Sequence, residues 1–203
     1  GKDIALVSDA GTPLISDPGY KFIKHARESN IKVEPVPGCC ALIAAITSSG
    51  LPSDRFSFHG FLPRSSNKRI NELKKISDKE ETLIFFESVH RIQSAIEDMI
   101  SVFGGNRPAV LCKEITKIHE SFIGETLSDI SIFFKKNEDK IKGEFTIVVQ
   151  GSSAIEGIGE ELDRVLKILM GELSLKKAVE IASKITKHSK SKIYDRALKI
   201  KNQ

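Results

Sequence analysis

The segment 9–19, DAGTPLISDPG, constrains the fold of this chain more than any other. It follows a short continuous apolar run, residues 3–8 (DIALVS), and precedes a helical pattern over 20–29. An apolar run bounded by turn residues reads as a buried parallel strand. Gly11, Pro13, Pro18 and Gly19 punctuate the connection. The same grammar then repeats. Residues 31–36 (IKVEPV) alternate as a strand, Pro37-Gly38 ends it, and 39–49 (CCALIAAITSS) suit a buried helix closed by Gly50. Strand, helix, strand and helix joined by short loops predict an open α/β sheet.

Leu51-Pro52-Ser53 follows a helix end with linker chemistry. Beyond it, strands are expected over 56–61, 82–87, 109–115, 120–125 and 144–150. Helices are expected over 70–76, 91–103 and 127–135, with a polar, basic loop at 63–69 (PRSSNKR). Gly, Ser and Ala over 151–159 mark a second linker, and the remainder reads as helix: 162–170, then 175–186 capped by Ser174, then 192–201 after a turn with His188 and Ser189. The division predicted is 1–50 as the remainder of one α/β domain, 54–150 as a second, and 157–203 as a basic helical module. Two short amphipathic helices with a tight polar turn fit a helix-turn-helix, and equally a helical hairpin that only packs on the body.

Charge is unevenly distributed. Residues 171–203 hold nine Lys/Arg against three acids, and 1–170 hold 22 against 24. A basic end on a near-neutral body suits a polyanionic partner such as RNA, or is a solvated lysine-rich surface. No apolar run approaches the roughly 18–20 residues of a membrane span, and no signal-peptide pattern opens the chain. The three cysteines, two adjacent, do not form a disulfide framework and are expected as buried thiols in a reducing cytoplasm. With no C-x-x-C or H-E-x-x-H and five scattered His, no metal site is expected.

Ligands in open α/β sheets collect at the carboxyl ends of strands. The 9–19 loop is placed there, with Gly11 for close backbone approach and Asp9, Thr12, Ser16 and Asp17 as polar contacts. A second strand end, Pro37-Gly38-Cys39-Cys40, opens a helix with small side chains that leave room for a flat ligand. Neither loop matches a dinucleotide fingerprint or a P-loop, and each taken singly is also an ordinary turn-rich connection.

The segments SDAGTPLISDPG, VPGCCALIAAITSSGLPSDRF, GFLPR, TLIFFESVHR, CKEITKIHE and KGEFTIVVQG occur in that order. The chain thereby resembles, over essentially its whole length, the tetrapyrrole-methylase fold family, in the branch of bacterial enzymes that 2′-O-methylate a cytidine of small-subunit ribosomal RNA. The resemblance implies two α/β domains, the first incomplete here, plus the helical extension, with S-adenosylmethionine bound between the domains. It implies donor contacts from Asp9, Ala10, Gly11, Thr12, Pro13, Pro37, Gly38 and Cys39, and from Phe86, Glu87, Lys113, Glu114, Gly143 and Glu144. The family often has Pro-Ser where this chain has Cys39-Cys40, which removes a hydroxyl contact. Its Gly-rich G-N-L-G-D-type turn, which follows the first strand, does not occur, so the chain is expected to open near the fourth strand, as an N-terminally truncated member. Ribosomal RNA is the implied partner, with phosphate contacts expected from Arg64, Lys68, Arg69, Lys190 and Lys192, and a homodimer is implied. Asp17, Glu87, His90, Arg91, Lys113 and Glu114 are unranked candidates to activate a ribose hydroxyl. The alternatives are a porphyrinoid methyltransferase and a non-catalytic RNA-binding remnant.

Overall fold

The computed structural model describes residues 1–137, 141–152, 160–186 and 190–201, apart from the side chains of Glu160, Glu161, Ser191 and Lys192. Two compact units are present. The first comprises Gly1–Ile76 and Glu81–Gln150, and the second Ser77–Glu80 and Gly151–Gln203.

The first unit carries α1 (Tyr20–Glu28), α2 (Ala41–Ser48), β1 (Phe56–Phe61), α3 (Ser66–Lys75), β2 (Thr82–Glu87), α4 (Ile92–Phe103), β3 (Ala109–Lys113), β4 (Ser121–Ile123), α5 (Leu127–Lys136) and β5 (Phe145–Val149). Its strands form one five-stranded sheet in the order β1-β2-β5-β3-β4. Only β1 and β2 pair in parallel, and β5 runs antiparallel to both its neighbours.

Strand periodicity sends alternate residues to opposite faces. Leu83 and Phe85 of β2, Ala109 and Leu111 of β3, and Phe145, Ile147 and Val149 of β5 point to one face. There they meet Leu73 of α3, Ile92, Ile96 and Met99 of α4, and Leu127, Ile130 and Phe134 of α5. Ile84, Val110, Cys112 and Val148 point the other way, onto Leu42, Ala45 and Ile46 of α2. Both faces are covered, which is why these strands read as continuous apolar runs. Helix α5 starts at a capping box: the Asp129 N–H donates to Thr126 Oγ1 (3.2 Å), and the Thr126 N–H donates to Asp129 Oδ2 (3.0 Å).

The strands expected at 3–8 and 31–36 do not form. Both segments are unpaired among the described residues, and Ile4, Val7 and Val36 are largely exposed. An apolar run becomes a strand only where a neighbour answers its backbone N–H and C=O groups. Helix α3 begins earlier than expected and absorbs much of the basic 63–69 loop.

The second unit packs α6 (Glu160–Glu172), α7 (Leu175–Thr186) and α8 (Lys190–Lys201) around Leu162, Leu166, Val179, Ala182, Ile193 and Ala197. The expected turn at His188-Ser189 and the linker over 153–159 lie outside the described residues. Arg196 of α8 donates from Nε and Nη2 to the two carboxylate oxygens of Asp163 on α6, at 2.7 and 2.5 Å. That hydrogen bonding holds the Asp163 carboxyl below the usual carboxylate range. A group whose pKa is depressed by folding contributes stability above its unfolded value and loses it as pH falls through the folded one. Asp163→Asn should therefore lower the melting temperature at neutral pH, and the gap to wild type should close as pH drops below about 4. Thermal melts between neutral pH and pH 3 check this. Among the described residues no helix is long and apolar enough to cross a membrane.

Candidate functional site

One end of the sheet gathers polar groups. The register sets Glu87 of β2 opposite Phe145 of β5, and Phe145 opposite Lys113 of β3. The carboxyl ends of β2 and β3 therefore flank Gly143-Glu144, where the chain enters β5. Phe86, Glu87, Lys113, Glu114, Gly143 and Glu144, expected together from the sequence, come together there.

At this end Glu114 folds back on the β5 entry. Its Oε1 accepts the Glu144 N–H at 2.7 Å, and its own N–H donates to the Glu144 carbonyl at 3.0 Å. Gly143 makes this possible: its φ is +95°, and a Cβ there would lie 2.5 Å from Glu114 Cδ. Lys117 Nζ bridges Glu114 (3.1 Å) and Glu144 (3.2 Å). The Glu144 N–H first, and Lys117 next, hold the Glu114 carboxyl below its ordinary range, while both partners hold the Lys117 ammonium above its own. Lys117 was missed from the sequence. A lysine three residues after a glutamate on a turn matches no motif.

Glu87 is buried, and its Oε1 accepts the Ser88 N–H (2.7 Å) and the Arg91 guanidinium (2.6 Å). Arg91 also donates to the Leu62 carbonyl and to Ser88 Oγ, each at 3.2 Å. Glu87 Oε2 is buried with no hydrogen-bond partner among the described residues. A buried acceptor left in that state costs about 1–3 kcal/mol, which a ligand donor would recover. Phe86 lies on the α2 side, edge-on to Phe58 at 4.8 Å and to Phe61 at 5.9 Å.

The 9–19 loop lies against the turn before α2. Thr12 Oγ1 donates to the Cys39 carbonyl at 2.9 Å, and Ser8 Oγ donates to Asp17 Oδ2 at 2.6 Å. Ile15 and Cys40 pack on the α2-side core, and a Cβ on Gly60 in β1 would lie 3.8 Å from Ser16 Oγ. Asp9, Ala10, Gly11, Pro37, Gly38 and Cys39 are exposed, with Thr12 and Pro13 half-buried. Gly11, at φ +72°, meets only the Cys39 carbonyl, and nothing lies within 4 Å of a Cβ placed on Gly38. The result is bare backbone beside a helix start, open to a ligand.

The expectation of three buried thiols holds for Cys112 alone. Burial chiefly, and Glu120 in addition, push its thiol up to about 12, so it stays protonated. Cys39 is exposed because its turn lies on the surface, and Cys40 is half-buried.

The basic residues divide. Arg64 and Lys68 are exposed, with no ion-pair partner among the described residues, and Lys190 is exposed at the start of α8. Arg69 corrects the sequence expectation of a phosphate contact. Only 2% of its side chain is exposed, and Nε donates to Asp98 at 2.6 Å. The side chain of Lys192 lies outside the described residues. Among the described residues no cluster of His, Cys, Asp and Glu is arranged to hold a metal ion.

Known proteins resemble this chain throughout. The family described as Tetrapyrrole (Corrin/Porphyrin) Methylases matches residues 1–131, and the RsmI C-terminal HTH domain matches 156–201. The "Ribosomal RNA small subunit methyltransferase I" of Pseudomonas aeruginosa is 45% identical over 201 residues, which is 98% of this chain and 71% of that protein. Its counterpart in Escherichia coli O157:H7 is 44% identical over 199 residues, or 98% and 70%. Among solved structures, a diphthine synthase aligns with TM-score 0.51 at 18% identity, over 70% of this chain and 58% of its own. The methyltransferase CobJ aligns with TM-score 0.51 at 13% identity, over 70% and 62%. These two establish likeness of fold.

Proposed function

The chain belongs to the tetrapyrrole (corrin/porphyrin) methylases, in the ribosomal RNA small subunit methyltransferase I branch, and on that premise we propose that it methylates the ribose 2′-hydroxyl of a cytidine in small-subunit ribosomal RNA, with S-adenosylmethionine as donor. The observation that carries this reading is the agreement of body and tail. The residues matching the methylases and the helical module at 156–201 align with one family of RNA methyltransferases. A methylase of free porphyrinoids has no use for a basic helical module, and nine Lys/Arg against three acids in 171–203 suit a polyanion. The protein acts in the cytoplasm, as a homodimer. Residues 1–50, which carry α1 and α2, are the remainder of the donor-binding half, 54–150 form the second, α/β half, and 157–203 the module that grips RNA.

The site residues fit the donor. Gly11, Gly38 and the Cys39 turn present bare backbone, Glu87 Oε2 is a buried acceptor awaiting a donor group, and Glu114 with Glu144 offers carboxylates to a cation. Asp9, Ala10, Gly11, Thr12, Pro13, Pro37, Gly38 and Cys39 would hold it on one side, and Phe86, Glu87, Lys113, Glu114, Gly143 and Glu144 on the other. When bound, S-adenosylmethionine supplies a methyl group already activated by its sulfonium. The protein's task is then alignment of donor and hydroxyl to within roughly 3–3.5 Å, with water excluded. Glu114 is held as an anion, which suits it to binding a cation and not to removing a hydroxyl proton. Phe86, packed edge-on between Phe58 and Phe61, supplies an apolar wall.

RNA contact falls to Arg64 and Lys68 on the body and to Lys190 and Lys192 on the tail. Arg64→Glu should weaken RNA binding and make the plot of log affinity against log salt shallower by about one to two units, a lost contact plus a new repulsion. Filter binding over a salt series measures this. Affinity and slope both unchanged would remove Arg64 from the interface.

A further inference from the structure

The two loops that follow β1 and β2 enclose a cleft of about 780 Å³ whose walls include Phe61, Arg64, Ser88, His90 and Arg91. We infer that this cleft receives one unstacked nucleotide of single-stranded RNA, its base lying on Phe61 and its phosphate against Arg64 and His90. The inference rests on the RNA reading above and gives it a subsite.

Phe61 ends β1 with 52% of its surface exposed. Its ring meets that of Phe86 edge-to-face, 5.9 Å between centroids, and also lines the cleft. The exposed part of the ring is available for stacking at the mouth of the cleft. Bases stack on such rings whatever their sequence. The polar groups beside it are unequal. Arg91 is answered by Glu87 at 2.6 Å, so its charge is spent within the protein. Arg64 and His90 are exposed, and neither has a charged partner among the described residues. An aromatic face beside an uncompensated guanidinium and an imidazole matches a nucleotide, base and phosphate together.

The cleft is also held open in advance. Arg91 donates to the Leu62 carbonyl at 3.2 Å, which ties the β1–α3 loop to the β2–α4 turn. Glu87 accepts from both Arg91 and the Ser88 N–H, so the tie is anchored in the buried end of β2. A pocket whose walls are fixed before the ligand arrives loses less entropy on binding. Its volume lies within the roughly 300–1,000 Å³ of small-molecule sites.

The test uses the whole chain and a single-stranded oligoribocytidine carrying one 2-aminopurine. Wild type should bind it and quench the 2-aminopurine by stacking. Phe61→Ala should weaken binding about tenfold and abolish the quenching, and Phe61→Tyr should keep both. Far-UV circular dichroism of the variants checks the fold. Wild-type binding without quenching, or a Phe61→Ala variant that binds within twofold and still quenches, overturns the cleft while leaving RNA binding intact. Failure of wild type to bind the oligomer at low salt overturns the RNA reading and the cleft with it.

Discussion

Asp98→Ala should cost about 3–5 kcal/mol of stability, far more than a surface carboxylate usually does. The reason lies in its partner. Arg69 is the most deeply buried basic side chain among the described residues, at 2% exposure, and Asp98 is 14% exposed. Arg69 Nε donates to Asp98 Oδ2 at 2.6 Å, Nη2 to Ser94 Oγ at 3.2 Å, and Nη1 to the Pro63 carbonyl at 3.3 Å. Ser66 Oγ donates to Asp98 Oδ1 at 2.9 Å. The pair therefore joins α3, α4 and the loop ahead of α3. Removing Asp98 leaves a buried guanidinium without its counter-charge, and the penalty is mostly that of the orphaned charge. Converting both partners to apolar residues, Arg69→Met with Asp98→Leu, should recover most of the loss. Urea unfolding of the single and double variants measures both. A loss under about 1 kcal/mol for Asp98→Ala would mean that the pair behaves as a solvated one.

Gly143→Ala should be the most damaging single methyl group in the site. Two effects add. The backbone at φ +95° strains any side chain, and the added Cβ would stand 2.5 Å from Glu114 Cδ. Glu114 must then leave, which breaks its 2.7 Å bond from the Glu144 N–H and the shared contact with Lys117. About 2–4 kcal/mol of stability should be lost, in line with other substitutions at special backbone positions. Affinity for S-adenosylhomocysteine should fall at least tenfold if this turn holds the donor. Calorimetry distinguishes the effects: lower stability with unchanged affinity would place Gly143 in the fold and outside the donor site.

Much of the fold was legible because the central strands bury both faces. The runs TLIFFE, AVLCK and FTIVV are apolar at nearly every position and became β2, β3 and β5. Periodicity similarly located α4 and α7. The segments at 3–8 and 31–36 were misread because an apolar run or alternation records what a segment could bury, and not whether a strand stands beside it. Arg69 was misread for a related reason. Within PRSSNKR nothing separates a basic residue facing solvent from one that meets Asp98 a helix away. The ordered motifs brought Glu114 and Gly143-Glu144 to one sheet end, yet the Lys117 bridge and the Glu87–Arg91 tie depend on side-chain geometry that spacing does not encode.

The central claim concerns methyl transfer, and it has a direct measurement. The chain is incubated with S-adenosylmethionine labelled in its methyl group and with small ribosomal subunits lacking the modification, and in parallel with a porphyrinogen. Nuclease digestion and mass spectrometry then locate the label. The account predicts label on the 2′-oxygen of a cytidine of the small-subunit RNA and none on the tetrapyrrole. Label on the tetrapyrrole with unmodified RNA would contradict it.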